Sequence, residues 1–431
     1  MTETSSRSES AVGQGISAAG GHLDALDGVR AVASFLVLTF HVAAESGAVL
    51  QEGFTGALLA RGDVAVPVFF ALSGVLLYRP FAAAALTDRA SPRVAAYLWR
   101  RAVRILPGYW LVVVVAMFLW SRDHLSDVWT WLTLLLLGQN YDLDPWWNGL
   151  APRGLAQMWS LCVEVAFYIL LPLLAVALAA FARRGGTRAG GADRENGRDG
   201  GSSGDGGDGG DGGDEVGRRA VRLLAGLGVL TAVSYGWTLL THYVWQESLL
   251  NLWPPRSMGY FAAGMALAVV MAWAAARPQS PAARFGHGVA ASPGAWWLVG
   301  ALAYAVAASP VTGGRFLGTD NVWADLSELL LYTTVAFCLL APAALAPPGD
   351  SPVRRLLGNR VMRFLGRVSY GVFLWQFVVL YGWYEFTGQQ AFSGDFPGNL
   401  AAVALITLGL ATVTYYLLEK PLQRLNRLVR R

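Results

Sequence analysis

Five stretches of this sequence place ionisable or strongly hydrogen-bonding side chains inside otherwise apolar runs. The first, "LDGVRAVASFLVLTFH", carries Asp27, Arg30 and His41. Asp27 and Arg30 are three residues apart and share a helix face. His41 follows Arg30 by eleven residues, roughly 16 Å at helical rise. Glu45 lies one turn further on, placed to orient or charge the ring. An imidazole is the side chain best suited to accept and return a proton near neutral pH. The second stretch, "YLWRRAVRILPGYW", spaces Arg101 and Arg104 at i,i+3 with Arg100 adjacent. Two guanidinium forks on one face form a paired site for phosphate. The third, "QMWSLCVEVAFYILLPLL", embeds Glu164 among apolar and small residues. A carboxylate there is costly unless it is paired or protonated.

The fourth stretch, "VPVFFALSGVLLY", sets Ser73 beside Gly74. No Gly-x-Ser-x-Gly elbow surrounds Ser73, so close helix packing through small residues is the stronger reading. In the fifth, "FLGRVSYGVFLWQFVVLYGWYE", Gln376 stands mid-run in an aromatic face, with Arg367, Ser369 and Tyr370 at its head. "YYLLEKPLQRL" follows, and its Glu419, Lys420 and Pro421 end the last apolar run. Plainer readings stand beside these. Asp27 and Arg30 also suit a helix cap and a snorkelling anchor. A lone histidine also suits a hydrogen-bonded helix contact, and the arginine pair suits simple interfacial anchoring.

The elements that must carry these residues are membrane helices. The 431 residues are 54% hydrophobic and only 14% charged, against about 25% charged in a soluble domain. The apolar residues fall into blocks long enough to cross about 30 Å of hydrocarbon. Ten spans are expected at 29–49, 63–83, 103–121, 158–181, 219–242, 256–276, 293–310, 325–346, 368–387 and 397–419. The fold class is therefore all-α, a polytopic membrane helix bundle. The stretch 128–140 is short for a crossing and reads as a re-entrant or interfacial helix. The net charge of +4 calls for no nucleic-acid partner. Cys162 and Cys338 show neither metal-ligand spacing nor a disulfide framework, and no metal site is expected.

Arginine distribution sets the expected topology. Loops 84–104, 182–222, 277–292 and 347–367 are rich in arginine, whereas 50–62, 243–255, 311–324 and 388–396 are poor. Ten spans with both termini cytoplasmic put every basic loop on the cytoplasmic side of a plasma membrane. Residues 1–22 read as a disordered cytoplasmic tail without a cleavable signal. The membrane module occupies 23–425, interrupted by a Gly/Asp-rich cytoplasmic linker at 185–217, and 426–431 form a basic tail.

Taken in order, these motifs resemble the acyltransferase-3 family of multi-pass membrane acyltransferases. The carrying segments are "LDGVRAVASFLVLTFH", "FFALSG", "RAVRILPGYW", "WSLCVEVAFY", "LGRVSYGVFLWQ" and "YYLLEKP", spread over about residues 23–425. Three positions depart from the family pattern. Gln376 stands for a frequent His, Cys162 for a common Ser, and Pro67 for a frequent Asp before the Phe-Phe pair. Gln376 hydrogen-bonds but does not titrate, which argues against a proton relay through it. The hydrolase-like extracytoplasmic domain of some members is not expected here.

The resemblance implies transfer of an acyl group, often acetyl, from acyl-CoA to a hydroxyl of a glycan or other acceptor. On that reading acyl-CoA is a substrate and no cofactor is permanently bound. Arg101 and Arg104, with Arg30, would hold the CoA phosphates, and Asp27 would support Arg30. His41 would act as general base or form an acyl-histidine, with Glu164 orienting the imidazole or the acceptor. Ser73, Tyr370 and Gln376 are candidates for stabilising the oxyanion. The leading alternative is a multi-pass transporter or exporter of a polar or lipid-linked solute. Against it, the sequence shows no inverted repeat and no paired broken helices. A sensory or structural membrane protein is the third reading.

Overall fold

The computed structural model describes residues 24–184, 211–314, 321–347 and 351–429. Its principal helices are α1 (Asp24–Glu45), α2 (Ala65–Thr87), α3 (Val94–Trp120), the short α4 (Val128–Leu135), α5 (Met158–Arg183) and α6 (Asp211–Leu240). There follow α7 (Pro254–Ala276), α8 (Pro281–Ala291), α9 (Pro293–Ala307), α10 (Val322–Ala344), α11 (Arg360–Thr387) and α12 (Phe396–Thr414). Among the described residues, nine helical segments are long and apolar enough to cross a membrane. The number is ten if α8 and α9, bent by 82° at their junction, form one span.

Several boundaries differ from the expected ones: α1 runs Asp24–Glu45 and not 29–49, and α3 and α11 begin earlier than expected, at Val94 and Arg360. The seventh expected span, 293–310, is shorter: α9 ends at Ala307, and Pro310–Thr312 forms a separate turn. Its 15 residues cover only about 22 Å. The linker expected over 185–217 gives way to helix at Asp211. Residues 185–210 of that linker and the N-terminal tail lie outside the described residues. The start of the C-terminal tail belongs to a 3₁₀ segment, Gln423–Val429. As expected, α4 is too short to cross: its eight residues span about 12 Å, and Leu137 at φ 60° breaks the chain just beyond it.

Helices α1, α2, α7 and α11 form the centre. α7 packs on α2 and α6, and α11 packs on α1 and α12. Two crossings bring backbone against backbone. A Cβ on Gly264 would sit 1.8 Å from the Ala71 carbonyl oxygen, and one on Gly74 would sit 2.3 Å from that of Phe261. Small residues beside Ser73 thus serve the close packing their sequence suggested. At the other crossing, a Cβ on Gly366 of α11 would lie 2.1 Å from the Asp27 carbonyl oxygen. α6 and α12 lie outermost and turn Val229, Leu239, Leu405 and Val413 outward, an apolar surface suited to lipid. Two ends of the bundle can be named by their residues. Asp24 and Arg360 begin helices at the arginine end, and Glu45 and Thr387 end them at the histidine end.

Candidate active site

Helices α1, α2, α3, α5 and α11 enclose a cavity open to about 90 Å³, room for several waters. Its polar wall is built from Arg30 of α1, Ser73 of α2, Arg101 and Arg104 of α3, Glu164 and Tyr168 of α5, and Ser369 and Tyr370 of α11. Six of the nine residues singled out in the sequence therefore meet in one place. Asp27 stands just behind, its Oδ1 accepting from Arg30 Nη1 at 2.8 Å. That bond fixes Arg30 as the sequence spacing implied.

Arg101 and Arg104 are both only partly exposed. Neither guanidinium has a hydrogen bond or ion pair with another described side chain. Three guanidiniums thus face the cavity against one lining carboxylate. Such an excess of buried positive charge suits a multiply charged anion.

Glu164 is held on one oxygen. Its Oε1 accepts from the Ser73 hydroxyl and from the Tyr168 hydroxyl, the latter at 2.5 Å. The carboxylate thereby ties α2 to α5 and lies within electrostatic reach of Arg101. It does not reach His41. Ser73 and Tyr370, proposed from sequence as oxyanion donors, have their hydroxyl protons engaged. Ser73 donates to Glu164, and Tyr370 donates to the Ile105 carbonyl at 2.8 Å, joining α11 to α3.

His41 lies beyond the cavity, toward the histidine end. Its Nδ1 is 3.0 Å from Gln376 Oε1. The neighbouring contacts fix which atom donates. Gln376 Nε2 donates to the Phe373 carbonyl at 3.0 Å, and a carbonyl only accepts. The amide oxygen therefore faces the imidazole, so Nδ1 carries the proton and the Nε2 lone pair is left for chemistry. The partner expected to orient the ring was Glu164 or Glu45; the structure gives that position to Gln376, which is completely buried. Phe377 lies against the ring at a centroid distance of 4.4 Å, and Phe40 at 5.1 Å.

Sequence reasoning missed two further groups. Rings continue from His41 through Phe377 and Tyr381 to Trp120. Arg153 lies over both Trp120 and Tyr381 and pairs with Glu385 at 3.1 Å. Separately, Asp325 and Glu328 of α10 are tied to Arg256, Arg61 and His242. Asp325 accepts from His242 Nε2 at 2.5 Å, and Arg256 reaches Glu328 at 3.2 Å. Two carboxylates three residues apart inside an apolar run were the available signal for this second group.

The described helices are apolar enough to span a membrane and enclose an arginine-lined cavity, with His41 lying beyond it. The chain belongs to the acyltransferase-3 family, whose acyltransferase-domain model matches residues 23–192 and 214–417. Of the three readings held open by the sequence, the family supports the acyltransferase. No curated protein matches significantly, and no solved structure does.

Proposed function

We propose that this acyltransferase moves an acyl group, acetyl in the simplest case, from acyl-CoA to a hydroxyl of a cell-envelope glycan, other carbohydrate or secreted metabolite. One observation carries this: two partly buried guanidiniums, Arg101 and Arg104, without a hydrogen bond or ion pair among the described residues, face a cavity lined by Phe373, one helical turn from the Gln376 that holds the His41 imidazole. The CoA phosphates would sit on Arg101, Arg104 and Arg30, and the pantetheine arm would run up the cavity. The arginine end would face the cytoplasm of a plasma-membrane protein, in keeping with the arginine-rich loops.

In the transfer step the acceptor hydroxyl loses its proton to His41 Nε2 as its oxygen bonds to the thioester carbon. The carbon–sulfur bond then breaks, and the imidazolium returns the proton to the departing CoA sulfur. Gln376 keeps the imidazole in the competent tautomer and stabilises its charged form. Glu164, locked by Ser73 and Tyr168, balances the arginines rather than touching the base. In the alternative route through an acyl-histidine, Nε2 attacks the thioester carbon and the carbon–sulfur bond breaks to release the CoA thiolate; the acceptor hydroxyl then takes the acyl group from Nε2, and its proton goes to the thiolate.

The test uses purified protein in liposomes with radiolabelled acetyl-CoA and envelope glycans. His41→Ala is expected to abolish transfer while donor binding persists. Arg101→Ala with Arg104→Ala is expected to weaken donor binding by about a hundredfold or more, since each charge-assisted bond contributes about 1.5–3 kcal/mol. Normal transfer by the His41 variant, or unchanged donor affinity in the double variant, would sink the assignment. Mass spectrometry of glycans and secreted metabolites with and without the gene identifies the acceptor by its missing acyl mass.

A further inference from the structure

Behind the cavity wall lies one buried group with no task in the transfer step above. Gln157 immediately precedes α5 and is only 3% exposed. Its Nε2 donates to the Leu374 carbonyl at 3.0 Å and reaches the Phe373 carbonyl at 3.5 Å. The Phe373 carbonyl is the same atom that receives the amide of Gln376, the residue holding His41. Phe373 also lines the cavity, as do Ser160 and Leu161 one turn further along α5. Gln157 is not itself among the lining residues; it packs behind the wall, on the α11 turn that runs from Phe373 to Gln376, with its amide nitrogen bonded to α11. Its Oε1 is buried and has no hydrogen-bond partner among the described residues. A buried acceptor left unmatched is costly, so the atom points to a donor that arrives with the substrate.

We infer that Gln157 Oε1 accepts a hydrogen bond from the cysteamine amide N–H of the donor's pantetheine arm and so sets the thioester beside His41. The inference rests on the acyl-CoA reading. Two facts of chemistry select this partner. Any arm that runs from the arginines to His41 must bring an amide N–H, two carbons from its sulfur, into this apolar end of the cavity. That N–H loses its water on entry and needs an acceptor there, and the nearby Phe373 and Leu374 carbonyls already receive bonds from Gln376 and Gln157. Gln157 is thus a positioning residue, acting on where the thioester rests.

The experiment measures binding of acetyl-CoA, and of its analogue with an ester oxygen in place of the cysteamine amide nitrogen, to the purified full chain. The wild-type protein is expected to bind acetyl-CoA about tenfold or more tightly than the analogue. Gln157→Leu should bind both alike, because the acceptor that tells them apart is gone. The ratio is diagnostic even if Gln157→Leu loosens the helix through its lost bond to Leu374. Should that variant fail to fold, Gln157→Met, closer to glutamine in shape, takes its place in the same comparison. Equal binding of the two compounds by wild-type protein, or a preference that survives in Gln157→Leu, overturns the role of Gln157 and leaves the donor reading standing. Failure of acetyl-CoA itself to bind overturns the donor reading and this inference with it.

Discussion

Replacing Gln376 by leucine removes the acceptor of the His41 Nδ1–H bond while keeping a buried side chain of similar size. The Nδ1–H is then enclosed by Phe40 and Phe377 with nothing to receive it. An unmatched buried donor costs about 1–3 kcal/mol. The ring escapes that cost by shifting its proton to Nε2 or by turning, and either change removes the lone pair that takes the acceptor's proton. At about 1.4 kcal/mol per factor of ten, the transfer rate should fall by roughly 5- to 150-fold. The loss should appear in kcat and not in donor affinity, because Gln376 does not line the cavity. Gln376→His restores the residue frequent at this position in the family and offers a ring nitrogen as acceptor. It should keep activity within a few-fold of wild type. Release of the CoA thiol in proteoliposomes supplied with acceptor measures kcat, and equilibrium binding of acetyl-CoA measures affinity. A Gln376→Leu protein with wild-type kcat, or one whose defect lies entirely in donor binding, would refute the tautomer argument.

Three further outcomes follow from the fold. Gly264→Ala should push α7 off α2, because its Cβ would fall 1.8 Å from the Ala71 carbonyl oxygen. The overpacking should cost about 1–3 kcal/mol or more and lower the melting temperature in detergent; an unshifted melt would show that the seam is loose. Asp325→Ala leaves Arg256 and His242 without their fully buried partner. The loss should be about 3–5 kcal/mol in stability, read as reduced melting temperature and folded yield, and an unchanged melt would contradict the burial. Asp127, outside the spans, caps α4 by accepting from the Trp129 amide and the Thr130 hydroxyl, and the Thr130 bond holds its carboxyl below the ordinary value. A lowered carboxylate stabilises above its unfolded pKa of about 3.9, and that contribution disappears as pH falls through the folded value. Amide exchange at Trp129 and Thr130, corrected for intrinsic rates, should therefore accelerate as pH falls from above the unfolded value through the lowered folded one; constant protection would count against the cap.

Much of the site could be read in the sequence because charge is expensive inside an apolar run. Arg30, Arg101, Arg104 and Glu164 announce themselves in that way, and the structure gathers them around one cavity. What spacing along a chain does not encode is which element crosses which. His41 and Gln376 are 335 residues apart, so no local pattern links them. The nearer candidates, Glu45 and Glu164, drew the role that Gln376 holds. Gln157 escaped notice for a related reason: a neutral amide beside a span is unremarkable until its oxygen is found buried and unmatched. Asp325 and Glu328 were legible in principle. They lie within the first turns of α10, where acidic residues also suit a helix start, and their partners sit on other helices.

The short distance between Phe373 and Gln376 has a consequence for permeability. Phe373 lines the cavity, and Gln376, which holds His41, follows it on α11 by one helical turn, about 5 Å along the axis. Gln157 bonds the backbone at the same level. On the acyl-CoA reading, this level would have to admit a thioester yet stay shut against water and protons. Enlarging the space at Phe373 should then raise water and proton leakage across liposomes that carry the protein, alongside any change in transfer.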